Sequence, residues 1–245
     1  MIMAAARLKT FGLTLLEFFL PRLCIFCGGA VPQEAAAAVC PECDGELDWV
    51  ASPLCPCCGK VFSSREGPDH LCGDCQTEPP PFQRARAAVL YHGPAIKAIT
   101  RFKYGAHMDC LPVLQSWLQT PPCRDLVATA DLLVPVPLHP KRLKDRGFNQ
   151  ALLLAGAFPE TVLSREALVR LVNTRPQVGL NPKQRRANVS KAFTVLQPHA
   201  VKGKNILLLD DLFTTGATVR ECARALKRAG ARRVEVLTVA RVRYE

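Results

Sequence analysis

Asp210 and Asp211 are adjacent, and a run of small and hydroxyl-bearing residues follows them: Thr214, Thr215, Gly216, Ala217 and Thr218. Neighbouring carboxylates can accept hydrogen bonds from sugar hydroxyls or share a magnesium ion. A small-residue loop leading into a helix offers backbone N–H groups to a phosphate. A phosphorylated sugar would use both features. The plainer alternative is a buried strand and a helix for which Asp or Thr is only an N-cap. Two vicinal carboxylates after an aliphatic strand add little to stability, which weighs toward chemistry.

The elements that must position these groups follow from local patterns. Ile206, Leu207, Leu208 and Leu209 form an unbroken aliphatic run, the pattern of a strand buried on both faces, with the carboxylates expected where it ends. Ligands of open parallel sheets bind beyond the carboxyl ends of their strands. A helix is predicted over residues 219–229, closed by Gly230. Its basic face is expected to carry Arg220, Arg224, Lys227 and Arg228, with Cys222, Ala223, Ala225 and Leu226 inward. The hydroxyl-rich stretch closely resembles the phosphoribosyl-diphosphate (PRPP) signature of type I phosphoribosyltransferases. That resemblance implies that Asp210 and Asp211, the catalytic pair, hold ribose hydroxyls, and that residues 214–218 hold the 5′-phosphate, with Mg²⁺ accompanying PRPP. Where such enzymes often carry two glycines, this chain has Gly216-Ala217.

A second chemistry lies near the N-terminus. Nine of the twelve cysteines fall between positions 24 and 75. Cys24-x-x-Cys27 and Cys40-x-x-Cys43 are separated by twelve residues, and Cys55-x-x-Cys58 and Cys72-x-x-Cys75 by thirteen. Two such knuckles supply four sulfurs to a tetrahedral Zn²⁺, so two structural zinc ribbons in tandem are predicted. So little chain has no core of its own, and metal binding would drive its folding. A secreted disulfide scaffold is the rival, opposed by the lack of a convincing signal peptide. Cys57 could replace Cys55 or Cys58, although the spacing with Gly59 next favours the latter two, and His70 is a substitute ligand or an ordinary loop residue. Cys110, Cys123 and Cys222 read as small core residues.

Of the 245 residues, 49% are apolar, enough for a sizeable core, and the net charge is +11. Residues 1–80 hold 5 Lys/Arg against 10 Asp/Glu, whereas residues 81–245 hold 27 against 11. The basic part points to a polyanionic partner, PRPP or nucleic acid, or else to a solvated surface. Two four-thiolate zinc centres would make the acidic part more negative still and help the two parts dock. No run of roughly 18 apolar residues exists, so no membrane span is expected. Glu17 interrupts the early apolar stretch and no small-residue cleavage site precedes Pro21, so residues 1–22 are predicted as a packing helix rather than a targeting segment.

Pro79, Pro80 and Pro81 make a stiff connector and a boundary, dividing the ribbons at 23–78 from a domain at 82–245. Strands are predicted over 84–91, 132–137, 191–195, 205–209 and 233–242, and helices over 94–104 and 108–118. The first helix shows Ile96, Ile99 and Phe102 on one face and Lys97, Arg101 and Lys103 on the other, with Gly105 as its stop. Between the second and third strands His139, Lys141, Arg142, Lys144 and Arg146 crowd one loop and helix start, either an anion grip or a solvated face. Residues 174–189 are polar, basic and broken by Pro176, Gly179 and Pro182, and are expected to form a mobile flap carrying Arg175, Arg185 and Asn188.

Three blocks in order carry a wider resemblance: the cysteines from Cys24 to Cys75; Val134-Pro135-Val136-Pro137-Leu138-His139 with Arg146-Gly147-Phe148-Asn149-Gln150; and Arg175, Gln177, Arg185, Asn188-Val189 and Ala192-Phe193 leading to Asp210-Asp211. On these the chain resembles the ComF family of ComFC- and GntX-like proteins. The resemblance implies an α/β fold: a type I phosphoribosyltransferase-like, mainly parallel sheet with flanking helices, preceded by a small double zinc ribbon. It further implies a cytoplasmic protein of DNA uptake and transformation, with single-stranded DNA and a ComFA-like helicase as partners. The likeness to type I phosphoribosyltransferases, in which the loop after an early sheet strand grips pyrophosphate, implies that Lys141, Arg142 and Arg146 are pyrophosphate ligands. A non-catalytic module, sensing PRPP or a nucleotide while binding DNA or the helicase, is the alternative to an enzyme.

Overall fold

Leu207, Leu208 and Leu209 are fully buried, which requires cover on both faces of their strand. The computed structural model describes residues 22–32, 38–64, 66–104, 107–174 and 181–243. Residues 1–21, Gly105 and Arg175 lie outside these, so the N-terminal packing helix, the helix stop and one expected flap residue do too. The strands are β1 (Arg84–Leu90), β2 (Leu132–Pro135), β3 (Val169–Arg170), β4 (Phe193–Thr194), β5 (Asn205–Phe213) and β6 (Arg233–Arg241). The helices are α1 (Pro41–Gly45), α2 (Gly73–Thr77), α3 (Gly93–Tyr104), α4 (Leu111–Trp117), α5 (Pro121–Ala128), α6 (Pro140–Arg146), α7 (Gln150–Ala155), α8 (Pro182–Val189), α9 (Pro198–Val201) and α10 (Ala217–Arg228).

A four-stranded sheet runs in the order β1-β6-β5-β2, and every neighbouring pair in it is parallel. Alternation along β5 and β6 then divides the core. Leu207, Leu209, Leu237 and Val239 face Ile99 and Phe102 of α3, Leu114 of α4, Leu126 of α5 and Leu154 of α7. Ile206, Leu208, Val234 and Val236 face Cys222, Ala223 and Leu226 of α10, with Phe193 of the antiparallel β3–β4 pair. Each such aliphatic contributes about 1.5–3 kcal/mol on burial. Because all four strands are parallel, their carboxyl ends at Leu90, Pro135, Phe213 and Arg241 share one edge of the sheet.

The cysteine-rich segment closes the free edge of β1. The Ala85 N–H donates to the Cys57 carbonyl (2.7 Å), Leu90 to Asp48 (2.7 Å), and Val50 to Ala88 (2.9 Å). An open strand edge is a template for unwanted pairing, and this segment removes it.

Several expectations change. The acidic pair sits inside β5, which continues to Phe213 because its register with β6 holds through Phe213↔Arg241. The predicted strand at 191–195 shrinks to β4, whose partner β3 carries no long apolar pattern. Residues 108–118 divide into a 3-10 turn at Met108–Cys110 and α4. The expected flap is partly a packed helix: Asn181 and Gln184 form a capping box at the start of α8, and Val189 is buried against the α10 side.

Candidate functional site

Successive residues of a strand address opposite faces, so Asp210 and Asp211 do not point the same way. Asp211 lies on the α3 face, where its Oδ1 is 3.0 Å from the Lys103 Nζ. Both side chains are largely buried, at 9% and 18% exposure. Burial alone would lower the Lys103 pKa, but the adjacent Asp211 carboxylate outweighs it and the net shift is upward. Asp210 lies on the other face, where its charge acts on Cys222 and Arg170. Its Oδ1 accepts the Asp211 N–H at 2.9 Å. Burial first, and then the Asp211 charge, push the Asp210 carboxyl up to about 7, against the pull of Lys103 and Arg170. The doublet therefore combines an engaged carboxylate with one that exchanges a proton near neutral pH, a division typical of functional sites.

Beyond β5 the chain turns on Gly216, whose φ of +72° lies in the left-handed region. A Cβ there would stand 2.7 Å from Cζ of Phe213, so only glycine fits. Gly216 is the N-cap of α10, and its carbonyl accepts the Arg220 N–H at 2.8 Å. The first turn of a helix leaves N–H groups without intrahelical acceptors, and here that turn follows the acidic pair directly. Thr214, Thr215 and Thr218 are each half-buried around it, and Thr215 Oγ1 accepts the Ala217 N–H at 3.4 Å.

A basic cluster stands beside Asp210. Arg142 of α6 donates to the Thr174 carbonyl at 2.7 Å. Arg146 donates to Gln150 Oε1 at 2.8 Å and lies 5.5 Å over the Tyr104 ring. Arg170 of β3 donates to Thr174 Oγ1 and stacks 5.2 Å over Phe193. Burial, and then the neighbouring arginine, lower the pKa of Arg170 (through Arg142) and of Arg142 (through Arg146). Among the described residues none of the three has a carboxylate ion pair. Arg170 Nε and Gln150 Nε2 are buried donors with no acceptor among the described residues. Such a set favours an anion.

The sulfurs of Cys24, Cys27, Cys40 and Cys43 lie within 4.8 Å of one another, as do those of Cys55, Cys58, Cys72 and Cys75. Cys27 and Cys40 are 3.6 Å apart and Cys58 and Cys72 3.7 Å, near the ~3.8 Å edge of a tetrahedron with Zn–S bonds of about 2.3 Å. Gly28 and Gly59 follow two of the knuckles at φ of +75° and +72°. Both sets fit zinc with no open position. Cys57 stays outside the second set, and His70 stacks on Phe62 with ring centroids 3.9 Å apart.

Residues 15–76 match the double zinc ribbon domain family, and residues 165–244 match the phosphoribosyl transferase domain family. The chain is 27% identical over 224 residues to competence protein ComFC of Bacillus subtilis (strain 168), an overlap of 85% of this chain and 90% of that one. It is 32% identical over 195 residues to the DNA utilization protein YhgH of Escherichia coli (strain K12), covering 77% and 84%. The chain belongs to the ComF family. Competence protein F of Haemophilus influenzae, 28% identical over 82% of this ComF chain and 96% of its own length, agrees. A solved structure of the allosteric regulatory enzyme of purine biosynthesis aligns at a TM-score of 0.28 and 24% identity, covering 44% of this chain and 22% of that one.

In this ComF chain the fold gathers Asp210, Asp211, residues 214–218, Arg142 and Arg146 at one end of the sheet. Lys141 is exposed, and its backbone N–H donates to His139 Nδ1 at 3.2 Å. Asn188 is half-buried near the end of α8, and Arg185 sits on that helix. Sequence reasoning missed Lys103, Arg170 and Gln150 as site residues. The opposite face expected for Lys103 is corrected: it lies four residues after Ile99 and shares its buried face, a spacing that made it legible. Arg170, on a two-residue strand, carried no local signal. Arg220 corrects another expectation, being 7% exposed rather than on an open basic face.

Proposed function

We propose that this ComF-family protein binds PRPP and acts as a phosphoribosyltransferase-like protein in DNA uptake or utilization. The observation that carries the reading is the Gly216 turn, which starts a 12-residue helix beside Asp210 and Asp211. The first-turn N–H groups of α10, with Thr214, Thr215 and Thr218, suit a 5′-phosphate. Asp210 suits the ribose hydroxyls, and both carboxylates offer oxygens to a magnesium ion brought with PRPP. Arg142, Arg146 and Arg170 neutralise pyrophosphate, which in a transfer reaction means stabilising negative charge as the C1–oxygen bond breaks. Zinc centres built from four thiolates, in place of disulfides, favour a reducing, cytoplasmic setting.

Titration calorimetry with PRPP and Mg²⁺ tests the site. Asp210→Asn, which leaves the Lys103–Asp211 pair intact, is expected to weaken binding at least tenfold with an unchanged circular dichroism spectrum. Unaltered affinity in that variant discards the assignment. The engagement of Asp211 by Lys103 favours a second reading, a non-catalytic sensor; binding without pyrophosphate release, whatever acceptor is supplied, supports it. The relatives' names, and the 27 Lys/Arg against 11 Asp/Glu after residue 80, support single-stranded DNA as a further partner. Its affinity is expected to fall steeply between roughly 50 and 200 mM salt, and a flat response removes the electrostatic argument.

A further inference from the structure

Arg241, the last residue of β6, is 4% exposed and has no carboxylate partner among the described residues. Its guanidinium instead meets the second cysteine set. Nη1 donates to the Cys58 carbonyl, and its charge acts on Cys58, Cys55 and Cys72. The contact is tightly framed. Gly59 packs so closely that a Cβ would lie 2.6 Å from the Ala85 carbonyl oxygen and 3.3 Å from Arg241 Nη1. Arg86 ties the same knuckle down by donating to the Pro56 carbonyl at 3.1 Å. Arg220 of α10 is also buried, with Nε and Nη1 unpartnered among the described residues, and its charge acts on Cys57.

The other side of Arg241 reaches the phosphate loop. Its guanidinium lies 5.0 Å over the ring of Phe213. That ring is held edge-on by Phe82, with centroids 6.3 Å apart. Its far edge touches Gly216, the left-handed N-cap of α10. A continuous contact path thus runs from the second cysteine set through Arg241 and Phe213 to the turn that starts α10.

We propose that Arg241 and Phe213 are positioning residues that make the order of the 214–218 loop depend on zinc in the Cys55/Cys58/Cys72/Cys75 centre. Zn²⁺ with four thiolates carries a net charge of −2, which is the counter-charge a buried guanidinium needs. Without it, Arg241 is a buried cation with no counter-charge among the described residues, and it leaves the Phe213 ring for solvent. Phe213 then no longer supports the Gly216 turn. No corresponding arginine path leads from the Cys24/Cys27/Cys40/Cys43 centre to this loop among the described residues. The link to ligand binding rests on reading 214–218 as a phosphate loop; the coupling itself does not.

Hydrogen exchange by mass spectrometry on the full chain, with zinc counted in each sample, tests the coupling without ligand. Cys72→Ser is expected to lower zinc from about two to about one per chain and to raise exchange across residues 213–220 at least tenfold. Cys27→Ser is expected to lose one zinc and leave exchange in 213–220 at the wild-type level. Phe213→Leu, which keeps both metals and the buried charge, is expected to raise exchange in the same segment. Should Cys72→Ser fail to fold, Phe213→Leu and Arg241→Lys still decide. Wild-type exchange in 213–220 in either of them, or an equal response to Cys27→Ser, overturns the proposal. PRPP titration of the wild type is a separate arm: raised exchange with no PRPP binding by any form sustains the coupling and rejects the phosphate reading.

Discussion

Asp210 and Asp211 are chemical twins that the fold makes unequal. Asp211 shares a largely buried ion pair with Lys103, and removing one partner of such a pair costs about 3–5 kcal/mol. Asp210 holds its proton to about pH 7 in the fold, whereas a free side chain releases it near 3.8. Between those values the native state binds more protons than the unfolded chain, so this residue makes stability fall as pH rises from about 4 to about 7. Asp210→Asn removes that loss. The melting temperature of the variant relative to wild type is therefore expected to be several degrees higher at about pH 8 than at about pH 4.5, at about 2–4 °C per kcal/mol. A difference that does not change with pH would show that Asp210 ionises normally.

At the scale of elements, the site depends on how β5 passes into α10. Extended backbone runs to Phe213, and Gly216 then reverses the chain within three residues. The positive φ and the ring of Phe213 both exclude a side chain there. Gly216→Ala is expected to destabilise the protein by about 1–3 kcal/mol, read as a lower melting temperature, and to weaken PRPP binding. An unchanged melting temperature would mean that the turn is not held as described. α10 itself is tied to the turn between α8 and β4 through Glu221, which accepts the Lys191 N–H at 2.9 Å and pairs within the helix with Arg224 at 3.0 Å. Helix α8 was hard to foresee because Pro182 and the basic run read as irregular, while its stabilisers are a cap and a distant helix.

For the molecule as a whole, the ribbons are part of the sheet's architecture. Their backbone satisfies β1 at Ala85 and Leu90, and their cysteines share core clusters with the helices. Metal analysis is expected to give about two zinc ions per chain. Chelation is expected to raise amide exchange at Ala85 and Leu90 and to promote aggregation through the uncovered edge. Protected amides after complete zinc release would mean that the edge is covered without the metal.

Local information carried much of this protein. The four-residue aliphatic run, the C-x-x-C spacings and the glycines that need positive φ each act within a few residues, so the sheet's central strand, both cysteine sets and the phosphate-loop candidate were readable from the chain alone. Position in a helix pattern could not say that Arg220 is buried, and strand alternation, which sends Asp210 and Asp211 to opposite faces once both lie inside β5, could not say that Asp210 holds its proton to about pH 7. The bond from Arg241 to Cys58 joins residues 183 apart. Partners at that separation are selected only when the packed sheet brings them together, because desolvation and pairing depend on the surroundings of a side chain rather than on its neighbours along the chain.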